Sequence, residues 1–104
     1  MPRPKTCRCV GQCPCTTYFK PDGIQKIDLE EIVLAIDELE SLRLKDVKEL
    51  DEIHASQKMK ISQPTFNRLL HNARKKVSDC IVNGKALRIE GGHYKFVGKA
   101  KRKP

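Results

Sequence analysis

Residues 50–77 read LDEIHASQKMKISQPTFNRLLHNARKKV, and their pattern is that of two helices joined by a tight turn. Ala55 and Ser56 are small where two helices would approach closely, and Met59 and Ile61 flank the turn. Ser62 can cap a new helix, and Pro64 is tolerated in a first turn, where backbone N–H groups have no intrahelical partner. Phe66, Leu69, Leu70, Ala73 and Val77 then recur at spacings of three and four, which builds one apolar face. Asn67, Arg68, His71, Arg74 and Lys75 fall on the other. A helix apolar on one side and lined with donors and cations on the other suits a DNA major groove.

The rest of the composition points the same way. A chain of 104 residues supports one small domain with tails. It has no Trp, and aromatics are 5%, so aliphatic helix packing must supply most of the burial. The formal net charge of +8 implies a polyanionic partner. That charge is segregated along the chain. Residues 1–27 carry a net +4, residues 28–54 a net −7, and residues 55–104 a net +11, with thirteen Lys and Arg against two acids in the last block. An acidic block cannot lie against DNA. Glu38, Glu40, Glu49, Asp51 and Glu52 have no His or Ser partner at a useful spacing, so they read as solvated helix charge. No nucleophile–base set or Gly-rich phosphate loop is present, so an enzyme is not expected.

Working outward, residues 1–27 are rich in Pro, Cys, Gly and Lys and read as an irregular, Cys-rich basic arm. Residues 28–97 are expected to form the folded domain and 98–104, GKAKRKP, a basic disordered tail. Residues 29–36 fit either a helix or a short buried strand. Asp37 with Glu40 resembles a capping box, which starts a helix burying Leu39 and Leu42, with Leu44 next in line. A second helix is expected from Val47 or Lys48 to Lys58, and the groove-facing one from Ser62 to about Val82, closed by Asn83-Gly84. Residues 86–89 and 94–97, on either side of Gly91-Gly92, read as two short strands. The fold class is therefore mainly α: a three-helix, helix-turn-helix core with a short C-terminal β element.

On the outward face, Gln63 and Asn67 suit adenine, Arg68 suits guanine, and Thr65 can touch a thymine methyl. His71 belongs to the same row, while Arg74, Lys75 and Lys76 are placed to neutralise phosphates. Ser62 adds the free N–H groups of a helix terminus. The alternative is an ordinary solvated helix face.

Cys7, Cys9, Cys13 and Cys15 form C-x-C-x3-C-x-C. In a reducing compartment such density favours a metal, as four thiolates at zinc or an iron–sulfur cluster. Paired or redox-active thiols, and no site at all, are the alternatives. Cys80 reads as a small core residue. The longest aliphatic run, Ile32–Ile36, is too short to span a bilayer, and the N-terminus lacks the apolar stretch of a secretory signal. A cytoplasmic location is expected, with no membrane contact.

The segments MPRPKTCR at the start, YFKP at 18–21, IDELESLRL at 36–44, KISQPTFNRLLHNARKKV at 60–77 and GKALRIEGG at 84–92 together resemble a small prokaryotic family. It is the family labelled domain of unknown function one-three-four, whose members are expected to bind DNA. Its helix-turn-helix is similar to region four of bacterial sigma factors. The resemblance spans about residues 1–97 and implies a sequence-specific DNA-binding protein, a transcriptional regulator, whose groove-reading helix falls on Ser62 through Lys76. Two departures stand out. Lys60 sits where such units usually place Gly, which predicts a strained or differently shaped turn, and the cysteine set is denser than the family pattern. Double-stranded DNA is the expected partner, with a homodimer attractive because one unit reads a half-site. Two other readings stay open: a metal- or redox-responsive switch, and a sigma-like interaction module that contacts the transcription machinery.

Overall fold

The computed structural model describes residues 8–12, 14, 16–92 and 94–96. In chain order the elements are β1 (Arg8–Val10), β2 (Tyr18–Phe19), a 3-10 turn (Lys26–Asp28), β3 (Glu31–Leu34) and α1 (Ile36–Leu42). A π-helical turn (Arg43–Val47), α2 (Glu52–Met59), α3 (Gln63–Asn83), β4 (Ala86–Ile89) and β5 (Tyr94–Phe96) follow. The described residues are mainly helical, with three α-helices and a small β component, as the sequence predicts.

Local chemistry sets the helix boundaries. α3 starts where Ser62 accepts the Thr65 N–H at 3.3 Å and ends at Gly84, whose φ of +64° is left-handed. α2 starts at Asp51, whose carboxylate accepts the His54 N–H at 2.8 Å. That cap places its start at Glu52, later than Val47 or Lys48, because the intervening residues form the π turn and then a left-handed Glu49 at φ +61°. α1 starts one residue before Asp37. Glu38 reaches back to accept the Ala35 N–H at 3.0 Å, so it, rather than Glu40, closes the first turn.

The ambiguity at residues 29–36 resolves as strand β3. It runs parallel to β4, with Leu34 opposite Ile89, and all three helices lie in the crossover between them. β2 adds antiparallel to the other side of β4, giving the order β2-β4-β3. β5 does not pair with β4; it runs parallel to β1. The β component is therefore not confined to the C-terminus, and the stretch expected as an irregular arm supplies two of its strands. Gly91-Gly92 is a corner between sheets. The Gly91 carbonyl accepts the Ile36 N–H at 2.9 Å, and a Cβ on Gly92 would lie 2.7 Å from an Asp37 carboxylate oxygen. Only glycine permits that approach.

Two buried clusters make the core. One joins the sheet to the C-terminal half of α3: Leu34, Ala73, Cys80, Leu87 and Ile89, with Cys80 the core residue the sequence suggests. The other binds the turn-linked helices together: Leu44, Ala55, Met59, Phe66 and Leu70. Leu42 packs against both.

Candidate nucleic-acid interface

The turn between α2 and α3 settles how their faces are presented. Lys60 adopts φ +58°, ψ +46°, a left-handed conformation that favours Gly. Its N–H donates to the Gln57 carbonyl and the Ile61 N–H to the Ser56 carbonyl, both at 3.1 Å, the paired bonds of a Schellman closure. Ile61, the next residue, packs into the helical cluster and completes the motif. The turn keeps the ordinary shape, and Lys60 carries the left-handed strain.

Phe66, Leu70, Ala73 and Cys80 are buried on one side of α3. At 100° per residue, Pro64, Asn67, Arg68, His71 and Lys75 fall within roughly 80° of the opposite direction, and all five are exposed. As far as Lys75 this stripe contains no acid; Asp79, one turn further on, falls on the same face and accepts from Lys85 at 3.0 Å. Among the described residues, Arg68, His71 and Lys75 have no ion-pair partner. Ser62 and Gln63 are exposed at the head of the same helix, and Thr65 is half-buried, its hydroxyl accepting from that of Ser62 at 3.0 Å.

The remaining cations of the expected set are engaged by the protein itself. Arg74 donates through Nε and Nη2 to the two carboxylate oxygens of Asp46, at 3.1 and 2.5 Å. These hydrogen bonds hold the Asp46 carboxyl below its ordinary pKa and Arg74 above its own. Lys76 lies off the stripe and donates to Glu38 at 2.7 Å. Asn67 donates its amide to Glu52 across the turn, at 3.5 Å. The structure thus brings Asn67, Arg68, His71 and Lys75 together and sets Lys76 apart from them.

The acidic block divides in the same way. Glu49, Asp51 and Glu52 are exposed, as expected of solvated charge. Asp37, Glu38 and Glu40 are buried, contrary to that expectation for the two glutamates. Glu40 takes Arg43 on both oxygens at 2.8 Å and accepts the Gly11 N–H at 2.9 Å, which ties the N-terminal segment to α1. Buried carboxylates persist when ion-paired and hydrogen-bonded in this way. A second tie, unsuspected from the sequence, lies on the outer face of the three-stranded sheet. Tyr18 donates to Glu31 at 2.5 Å, and the Arg88 guanidinium, bound to the same Glu31, sits 5.0 Å from the Tyr18 ring centre. The Tyr18 hydrogen bond is the largest cause holding the Glu31 carboxyl low. At the far end of α3 an apolar groove of about 530 Å³ is lined by Phe19, Pro21, Val77, Ile81 and Leu87 among others.

Of the proposed thiolate set, Cys7, Cys13 and Cys15 lie outside the described residues, and Cys9 is buried in β1. Among the described residues no group of three or more His, Cys, Asp or Glu side chains is arranged to hold a metal ion. No described helix is long and apolar enough to cross a membrane.

A family profile described as protein of unknown function DUF134 matches residues 1–97. The chain belongs to this family. It is 52% identical to a UPF0251 protein of Moorella thermoacetica over 94% of its own length and 66% of the relative's. It is 46% identical to a UPF0251 protein of Thermoanaerobacter pseudethanolicus, covering 98% of this chain and 86% of that one. A UPF0251 protein of Dehalococcoides mccartyi is 50% identical over 92% of this chain and 82% of its own. The chain thus spans just under two thirds of the Moorella relative, which carries sequence beyond the match. No solved structure matches the chain.

Proposed function

We propose that α2, the turn at 60–62 and α3 form a helix-turn-helix of the sigma region-four kind, and that the DUF134 chain binds double-stranded DNA sequence-specifically, as a transcriptional regulator. The observation that carries this reading is the exposed stripe of Asn67, Arg68, His71 and Lys75, free of acid over the N-terminal half of a helix held at both ends by Ser62 and Gly84. Asn67 and Arg68, near the N-terminus of α3, are the base-reading candidates, and Lys75 further along is a phosphate contact. The net charge of +8 supports the polyanionic partner.

Selection of bound duplexes from a random pool tests it. A recovered consensus is expected, and a palindromic one would report a homodimer reading two half-sites. Equal affinity for every duplex, with no enrichment over rounds, would remove sequence-specific recognition.

A further inference from the structure

We infer that Glu52 is a positioning residue for base reading: it fixes the facing of the Asn67 amide and keeps phosphate off that flank of α3. The inference rests on the groove-reading role of α3 proposed above and assigns a selectivity device to the same site.

Glu52 is the first residue of α2, exposed beside the stripe, and its Oε1 accepts from Asn67 Nδ2 at 3.5 Å. An ionised carboxylate can only accept, so it dictates which end of the amide turns toward it. Nδ2 faces Glu52 and Oδ1 faces away. Nδ2 has a second hydrogen, so the amide still offers one donor and one acceptor side by side. That is the pair that the N7 and N6 edge of adenine requires. An amide with no such neighbour presents the pair in either order along the groove, and the carboxylate selects one.

Charge on the two sides of the stripe is unequal. On the Asn67 side stand Glu52 and Asp46, the latter occupied by Arg74. On the other side stand Arg68 and Lys75, and the carboxylates beside Arg68, Asp37 and Glu38, are held by Arg8 and Lys76. Phosphates are attracted to the second side and repelled from the first, which gives the docked helix a defined lean. A carboxylate there weakens binding to every duplex and leaves discrimination to the oriented amide, the repulsive half of a specific interface.

The test uses the full chain, a duplex selected from a random pool and its single-base-pair variants, at one fixed salt concentration. Glu52→Gln removes the charge and leaves an amide that donates as well as accepts, so the facing of Asn67 is no longer dictated. It is expected to raise affinity for all duplexes about threefold to tenfold and to relax, by less than Glu52→Ala does, discrimination at the base pair that Asn67 reads. Glu52→Ala removes charge and acceptor together. It is expected to raise general affinity similarly but to cut, by about tenfold, discrimination at the one base pair where Asn67→Ala also loses it. The double variant Glu52→Ala/Asn67→Ala should lose no more there than Asn67→Ala alone, because the two act as one unit. Wild-type ranking retained in Glu52→Ala overturns the inference while leaving the groove-reading role intact. A wild-type chain that ranks no duplex above another overturns both.

Discussion

Among the described residues, the cations along α3 and those that follow it are used in two different ways. Arg68 and Lys75 project from the helix with no acid partner among the described residues, whereas Lys76, Lys85 and Arg88 each meet a carboxylate: Glu38, Asp79 and Glu31. The second group ties α3 to α1 and β4 to β3. Its charge is spent inside the protein, and little of it reaches a partner. Net charge counts both groups alike, but only the first adds to the field that an approaching polyanion meets. Arg74 stands between them, exposed yet held by Asp46.

The two groups should therefore fail differently when removed. Arg68→Ala/Lys75→Ala should cost about a hundredfold in affinity for a selected duplex, about 3 kcal/mol, and reduce the salt dependence by about one ion for the phosphate contact. Its unfolding free energy should stay within about 0.5 kcal/mol of the wild type, since neither side chain is buried. A large loss of stability in a denaturant titration would erase the distinction.

Lys76→Ala should do the converse. It leaves Glu38, whose side chain is 9% exposed, without its cation. The loss should be about 1–2 kcal/mol, below that of a fully buried pair because Lys76 is 35% exposed. DNA affinity should change less than threefold. Equal losses of affinity for the two variants would put Lys76 back among the groove contacts.

Lys60→Gly should act on neither group. It relieves a left-handed backbone that costs a side chain about 1 kcal/mol, so the unfolding free energy from chemical denaturation should rise by up to that amount. A drop would show that the lysine side chain, not the turn geometry, is what matters there.

The smallest effect separates Arg74 from its neighbours. The folded Asp46 carboxyl lies below its ordinary value of 3.8, chiefly through the hydrogen bonds from Arg74. A carboxyl lowered on folding stabilises the fold above its unfolded pKa and loses that contribution as pH falls through the folded one. Because the pair is exposed, the contribution is about 0.5 kcal/mol or less. Wild type and Asp46→Asn should therefore differ slightly at pH 6 and converge as pH falls through the lowered Asp46 pKa. A difference that persists below that pKa would mean the pair is not its source.

The parts of this picture legible in the sequence are those whose causes are local. Ser62, Gly84 and the recurrence of Phe66, Leu70, Ala73 and Val77 lie within one helix, so its limits and its outward side chains follow from spacing. Met59 and Ile61 mark the turn from the residues alone, and of the two outcomes expected from Lys60, a strained or a differently shaped turn, the left-handed backbone matches the first. Other features depend on partners far along the chain. Glu38 meets Lys76 and Asp46 meets Arg74 across separations of 38 and 28 residues, so neither pairing has a periodic signature. β1 and β2 are short strands in a Pro- and Cys-rich segment, and they exist because β5 and β4 offer them edges. The late start of α2 was hidden because the π turn continues the helical look of residues 43–47, and only Asp51 marks the true cap.

Leu42 packs in both buried clusters, so no dry seam divides the sheet from the turn-linked helices. Loosening either side exposes the same leucine, and the chain should melt in one step. Amide protons of β4, remote from the exposed stripe, should then exchange more slowly with solvent deuterium once a ligand occupies α3, without any of their own contacts having changed.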